Sequence, residues 1–156
     1  MAIVKDLWFV DTQVKALTNV IALNLGDAGA GAFKAALFTN SITTPDGSQT
    51  NPAYGSAPFN ASEVSGTGYT AGGATLTDVV FEELSGSPGY MRWDFSNVQW
   101  TGSTITSARG LLIYATALSN RAILLRNLLS DYSTNDGIFT INVHSDGVAK
   151  INLFGP

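Results

Sequence analysis

Short apolar runs separated by turn residues are the feature that most constrains how this chain can fold. A run at Phe33 to Phe38 is the predicted first core strand, and Gly, Pro, Asn and Asp cluster between the later runs. Runs of this length and spacing are typical of antiparallel all-β domains. The later runs are Leu76 to Leu84, Tyr90 to Phe95, Val98 to Trp100, Ile105 to Ala117, Ala122 to Leu128, Ile138 to His144 and Val148 to Phe154. The sequence therefore predicts a mainly β fold, an antiparallel β-sandwich or partly open barrel, with one short N-terminal helix and an N-terminal arm.

The N-terminal part carries an amphipathic helical pattern. Apolar residues follow Thr12, the predicted N-cap, at helical spacing up to Gly26, the predicted stop. We expect residues 1–31 to form the arm and helix, and residues 32–156 to form a single β-rich domain. Its long loop at 41–62 is rich in Ser, Thr, Pro, Gly and Asn, which favours exposed backbone and a functional or mobile segment.

Two local patterns bear on strand pairing. Residues 139–144 alternate strictly between apolar and polar, and alternation resumes at Val148 after Asp146-Gly147, which predicts a terminal hairpin. The segment 122–129 suits a buried strand or a helix. The strand-like segment 111–114 next to it favours the strand.

Composition narrows the classes of function. The 156 residues include only 13% charged residues and carry a net charge of −4, so the cationic surface needed for nucleic acid is missing. A weakly charged surface favours permanent contact with protein. The chain has no Cys, which excludes disulfides and thiolate chemistry. No apolar stretch reaches the roughly 18 residues of a membrane span, and the N-terminus lacks a secretion pattern. We expect a soluble protein that binds neither nucleic acid nor membrane.

Residues able to support catalysis or metal binding are sparse. His144 is the only histidine and lies at a predicted strand end. The chain also lacks the Gly-x-Ser-x-Gly motif that would supply a serine nucleophile for this base. Glu82 and Glu83 are adjacent and point to opposite faces of a strand, which disfavours a carboxylate pair. The segment 131–137 resembles a calcium loop only weakly, because its Gly comes one position late and no Glu follows. We therefore predict no enzyme activity, no cofactor and no metal.

The segment Gly66–Gly73 is conspicuously rich in glycine. It lacks the preceding strand, the following helix and the Gly-Lys-Ser/Thr of a phosphate-binding loop. The favoured interpretation is that these glycines permit positive φ or close backbone approach, and place a loop bearing Tyr69 against a strand or another subunit. Trp93 and Phe95 share one strand face, which favours core packing over a carbohydrate platform.

One stretch of the chain carries a family resemblance. Residues 63–76 read Glu-Val-Ser-Gly-Thr-Gly-Tyr-Thr-Ala-Gly-Gly-Ala-Thr-Leu. This stretch resembles the signature of a family of small tailed-bacteriophage virion proteins, and further segments match the family at 34–37, 98–100, 105–114, 137–141 and 146–148. The resemblance covers roughly residues 33–154 and departs from the family in the N-terminal segment, in the loop at 41–62 and at 114–117. It implies a non-enzymatic structural protein of the virion, assembled in the host bacterial cytoplasm.

Three functions follow as hypotheses. The first is a capsid decoration or cement protein that stabilises the shell, with the major capsid protein or neighbouring virion proteins as partners and further copies of itself in a homo-oligomer. The second is a minor tail, neck or fibre-base protein. The third is a carbohydrate-binding module for host adsorption, with Tyr54, Phe59 and Tyr69 as its aromatic platform.

The predicted interface residues lie in three segments. They are Leu7, Trp8, Phe9 and Val10 of the arm, Gly68 and Tyr69 of the glycine-rich loop, and Tyr54 and Phe59 of the long loop. For the bulky arm residues, packing within the chain is the favoured alternative, since exposed aromatic side chains are costly unless they are covered.

Overall fold

The computed structural model describes residues 2–154 and is mainly β. Helix α1 spans Val10–Leu17, and a single 3-10 turn spans Thr116–Leu118. The strands are β1 (Leu7–Trp8), β2 (Phe33–Thr39), β3 (Ala74–Thr75), β4 (Val80–Glu83), β5 (Tyr90–Asp94), β6 (Val98–Ser103), β7 (Ala108–Ala115), β8 (Arg121–Tyr132), β9 (Gly137–Ile141) and β10 (Ala149–Asn152). All strand pairs are antiparallel and no barrel closes, so the predicted fold class is confirmed as sandwich-like.

A five-stranded sheet in the order β1-β8-β7-β2-β3 forms the centre of the fold. Strand β7 lies in its middle, and all eight of its residues are buried. A strand reads as a continuous apolar run when both of its faces are covered. Strands β7 and β2 are both nearly continuous apolar runs, and burial on both faces accounts for this.

One face of the central sheet packs against the two smaller sheets, β10-β5-β4 and β6-β9. Trp93 is fully buried here, and its ring lies 5.5 Å from that of Phe33 on β2. Its indole nitrogen donates a hydrogen bond to the carbonyl oxygen of Leu25, at 2.9 Å. Trp93 and Phe95 are therefore core residues, as the sequence predicted.

The opposite face is covered by the arm and the long loop. Ile3, Phe9, Ile42 and Phe59 are each at most 3% exposed and pack against alternate side chains of the sheet. The rings of Phe9 and Phe38 each meet Phe59 edge to face. The expectation that residues 41–62 form an exposed loop without buried elements is wrong, because this loop supplies part of a second hydrophobic layer.

The helix differs from its prediction at both ends. It begins at Val10, two residues before the predicted N-cap Thr12, and the buried hydroxyl of Thr12 instead donates to the carbonyl oxygen of Ala122, at 2.7 Å. It ends at Leu17 because Asn19 takes a left-handed conformation, with φ 57°, and the backbone N–H of Val20 closes onto Lys15. The apolar residues between 20 and 25 therefore lie outside the helix.

The two C-terminal strands do not form the predicted hairpin. Strand β9 pairs with β6, and β10 pairs with β5 in a different sheet. Alternation specifies which face of a strand is buried, but it does not specify the partner strand. The segment 122–129, by contrast, is a strand, as favoured, and lies within β8.

Candidate functional site

The glycine-rich loop lies directly on the backbone of neighbouring strands. At Gly66 and Gly73, with φ of 145° and 72°, a Cβ atom would overlap the carbonyl oxygens of Thr104 and Ala35. At Gly68, with φ of 73°, it would lie 2.7 Å from the carbonyl oxygen of Gly102. Only glycine permits both this conformation and this approach. The close-approach interpretation is confirmed, with the chain's own strands as the surface.

Glu63 holds the glycine-rich loop in place through hydrogen bonds. Its carboxylate accepts hydrogen bonds from the hydroxyl of Tyr54 at 2.8 Å, the hydroxyl of Tyr69 at 2.7 Å and the backbone N–H of Gly72 at 2.7 Å. A carboxylate has lone pairs for all three donors. Hydrogen bonds to a charged acceptor are stronger than those between neutral groups. Glu63 therefore joins the long loop and the glycine-rich loop at one point.

The tyrosines connect this point to the central sheet. The Tyr69 hydroxyl accepts the backbone N–H of Leu37 on β2, at 2.9 Å. The Tyr114 hydroxyl on β7 donates to the carbonyl oxygen of Gly72, at 2.8 Å, and its ring stacks on Tyr54 with centroids 4.7 Å apart. We call Tyr54, Glu63, Tyr69, Gly72 and Tyr114 the tyrosine clamp. Its contacts hold two loops on one sheet.

The clamp keeps its phenols protonated. Burial, with the carboxylate of Glu63 as a further cause, raises the pKa of Tyr54 and of Tyr69, and burial raises the pKa of Tyr114 to about 12. Desolvation and a nearby negative charge both disfavour a phenolate. At neutral pH the three hydroxyls therefore act as hydrogen-bond donors, which suits a structural role.

The raised tyrosine pKa values predict a loss of stability at alkaline pH. In the unfolded chain these phenols ionise near 10.0, whereas in the folded chain they hold their protons to higher pH. The unfolded state therefore binds fewer protons above pH 10, so the free energy of unfolding falls as pH rises from there towards 12. Urea unfolding across this range measures the slope. Tyr114→Phe removes one of these groups and is expected to make the slope shallower, and an unchanged slope would contradict the assignment.

The arm residues are mostly occupied within the chain. Leu7 and Trp8 form β1 and pair with β8, Trp8 lies 6.0 Å from Trp93, and Phe9 is fully buried. Val10 alone remains 56% exposed. The intramolecular alternative therefore describes three of the four, and the predicted interface role does not extend to Phe9, whose ring has no surface left for a partner.

The other predicted interface residues also face inward. Phe59 is 2% exposed, and Tyr54 and Tyr69 are half-buried with their hydroxyls bonded to Glu63. Gly68 is exposed, but it lies against β6. Tyr54 stacks on Tyr114 and Tyr69 packs near Trp100, so each of these two rings is used in part for packing within the chain.

Exposed apolar side chains concentrate elsewhere. Val10, Val14 and Leu17 occupy positions i, i+4 and i+7 of α1 and form one stripe, in which Leu17 is 87% exposed. Further exposed apolar residues are Val4, Val20, Val80, Leu129, Tyr132, Ile138, Leu153 and Phe154. Sequence analysis missed the stripe, because its spacing is the same as that of a helix face turned inward.

Polar groups suited to catalysis do not converge in the part of the chain described. His144 is exposed, and its Nδ1 accepts the backbone N–H of Asp146, at 3.0 Å. Across residues 2–154, no three His, Asp or Glu side chains stand close enough together to hold a metal ion. Helix α1, the one α-helix in that range, is too short to cross a membrane.

Comparison with known proteins found no relative of this chain. The chain matches no protein-family model, no curated protein and no solved structure.

Proposed function

We propose that this chain is a non-enzymatic structural protein of a tailed-bacteriophage virion, and that it acts as a capsid decoration or cement protein. The observation that carries an assembly role is the exposed apolar stripe of α1, formed by Val10, Val14 and Leu17. Exposed apolar clusters on a folded chain mark surfaces that bind protein. The assignment to a virion is supported by the resemblance of residues 63–76 to the signature of the tailed-bacteriophage family.

The stripe lies on a rigid support. Thr12 anchors α1 to β8, and Asp11 receives the side chains of Lys15 at 3.0 Å and Arg121 at 3.1 Å. The Lys15 hydrogen bond is the main cause that lowers the pKa of Asp11. The charges beside the stripe are thus paired within the chain, and the apolar side chains of the stripe are exposed. A surface held this firmly loses little conformational freedom on binding.

The clamp supports the same role. Backbone contacts at glycine and partly buried hydrogen bonds to Glu63 hold the long loop and the glycine-rich loop on the strands. A protein bound to an assembled shell stabilises that shell by mass action. A rigid chain transmits this binding energy without local unfolding, which favours a cement protein over a flexible adaptor.

The copy number of the protein in purified virions tests the proposal. Quantitative mass spectrometry is expected to give a ratio to the major capsid protein near one, or a simple fraction of it. A few copies per hundred would instead assign the chain to the tail, neck or fibre base. Absence from the particle would overturn the virion assignment.

Charge on the stripe is expected to reduce occupancy of the particle. Leu17→Glu places a carboxylate at a position that is 87% exposed, so the fold is retained while an apolar contact is lost. We expect occupancy at limiting protein to fall by roughly tenfold, since one such contact contributes about 1–2 kcal/mol. Ser85→Glu, on an exposed turn, is the matched control and should bind as the wild type does. Equal occupancy of both variants would exclude the stripe as a docking surface.

A further inference from the structure

Strand β9 has one strand neighbour among the residues described. It pairs with β6, with Phe139 opposite Trp100, and these two strands form a sheet of their own. The other edge of β9 therefore presents backbone N–H and C=O groups at alternate residues without a strand partner. Such an edge is a template for the addition of another strand.

A groove of about 480 Å³ opens beside this edge. Its walls come from β9, from the end of β8 and from the turn between them, through Leu128, Tyr132, Ser133, Thr134, Ile138, Phe139, Thr140, Ile141 and Asn142. Ile138 is 62% exposed and Tyr132 is 50% exposed. The groove therefore combines apolar side chains with hydroxyl and amide groups and is open to a partner.

None of these lining residues is charged. Their polar groups are hydroxyls and one amide, each of which can both donate and accept a hydrogen bond. At a twofold axis a surface meets a copy of itself, so a charge would meet a like charge, whereas groups of this kind can pair with themselves. Asp131 lies near the groove in sequence, and its carboxylate pairs with Arg109 at 3.4 Å.

A second groove, of about 400 Å³, lies beside β4 and β5 and differs in this respect. Glu82 and Glu83 both line it. Glu82 pairs with Arg92 at 2.7 Å, but two copies meeting there would still bring two Glu83 carboxylates together, on a chain whose net charge is already −4. Charge therefore distinguishes the groove beside β9 as the one of the two suited to self-association.

We infer that a second copy of this chain binds at the groove beside β9, with the free edges of the two β9 strands antiparallel across a twofold axis. In that pairing, centred on Phe139, Ile138 lies opposite Thr140 of the second copy. Both residues are β-branched, a favourable cross-strand combination. This inference deepens the proposed function, on which it rests, by naming the surface through which copies of the subunit associate.

Sedimentation of the intact chain over the micromolar range tests the inference. We expect a reversible dimer for the wild type, and for Ile138→Glu a dissociation constant raised about tenfold or more, because the two carboxylates lie on the same face of the paired strands, diagonally across the axis and about 7–8 Å apart. Ile138→Arg should weaken the dimer in the same way. An equimolar mixture of the two variants should recover association, since opposite charges then meet.

Val20→Glu is the matched control, because it introduces the same charge at another β-branched position that is 67% exposed and does not line the groove. It should leave the dimer intact. A monomeric wild type, a dimer unaffected by Ile138→Glu, or variants that fail to associate when mixed would each overturn the inference. Circular dichroism of each variant verifies that the fold is retained. The copy number in virions is measured separately, so the failure of either proposal can be recognised without the other.

Discussion

Gly73→Ala is expected to abolish the native fold or to lower the free energy of unfolding by at least about 3–4 kcal/mol. The φ of 72° already disfavours alanine, and the added Cβ would overlap the carbonyl oxygen of Ala35 and lie 2.7 Å from the Cα of Ala36. Both are backbone atoms of β2, which is hydrogen-bonded to β3 on one edge and to β7 on the other. Since β2 cannot move aside, the loop must leave the sheet.

Urea unfolding of Gly73→Ala measures this loss, and Gly86→Ala separates its two causes. Gly86 also has positive φ, at 76°, but a Cβ there would meet nothing within 4 Å. We expect it to cost only about 1 kcal/mol, from backbone strain alone. Similar losses at the two glycines would show that close contact with β2 contributes nothing.

The apolar runs at 33–38 and 105–117 show what sequence could establish. Both were identified as strands because long apolar runs beside turn residues have few alternatives in an all-β chain. Because a strand that is apolar on both faces needs cover on both, these runs also predict that β2 and β7 lie inside a layered fold, although not that they are neighbours. The fold class was predictable for this reason.

Long-range partners were not predictable in the same way. Nothing within residues 138–154 distinguishes a local hairpin from pairing with β5 and β6, because the alternation is satisfied by either arrangement. The long loop was misread for a related reason. Its average composition is that of turns, and two of its four buried residues are prolines, so Ile42 and Phe59 are too few to alter that average.

The tyrosine clamp could be predicted from the sequence only in part. The glycines and Tyr69 stood out in the sequence, and the need for close backbone approach followed from glycine alone. Tyr54, Glu63 and Tyr114 meet only because the long loop returns to the sheet. A single acidic residue before a glycine-rich segment gives no local sign that two tyrosines will bind it.

Glu63→Ala is expected to lower the free energy of unfolding by about 2–4 kcal/mol, because three hydrogen bonds to a charged acceptor are lost at a partly buried site. The change leaves the hydroxyls of Tyr54 and Tyr69 and the backbone N–H of Gly72 without their acceptor. A buried donor left unsatisfied costs about 1–3 kcal/mol, which makes the combined loss larger than that of any one hydrogen bond. Thermal and urea unfolding measure it.

Three comparisons identify the cause of that loss. Glu63→Gln retains one carbonyl acceptor and should lie between the wild type and Glu63→Ala. Tyr54→Phe removes a single donor and should cost about 1 kcal/mol, the usual net contribution of one hydrogen bond. Glu83→Ala removes an exposed carboxylate of the same length and should change stability little. If Glu63→Ala were no more harmful than Glu83→Ala, the two loops would be held by packing and by the glycine contacts rather than by the carboxylate.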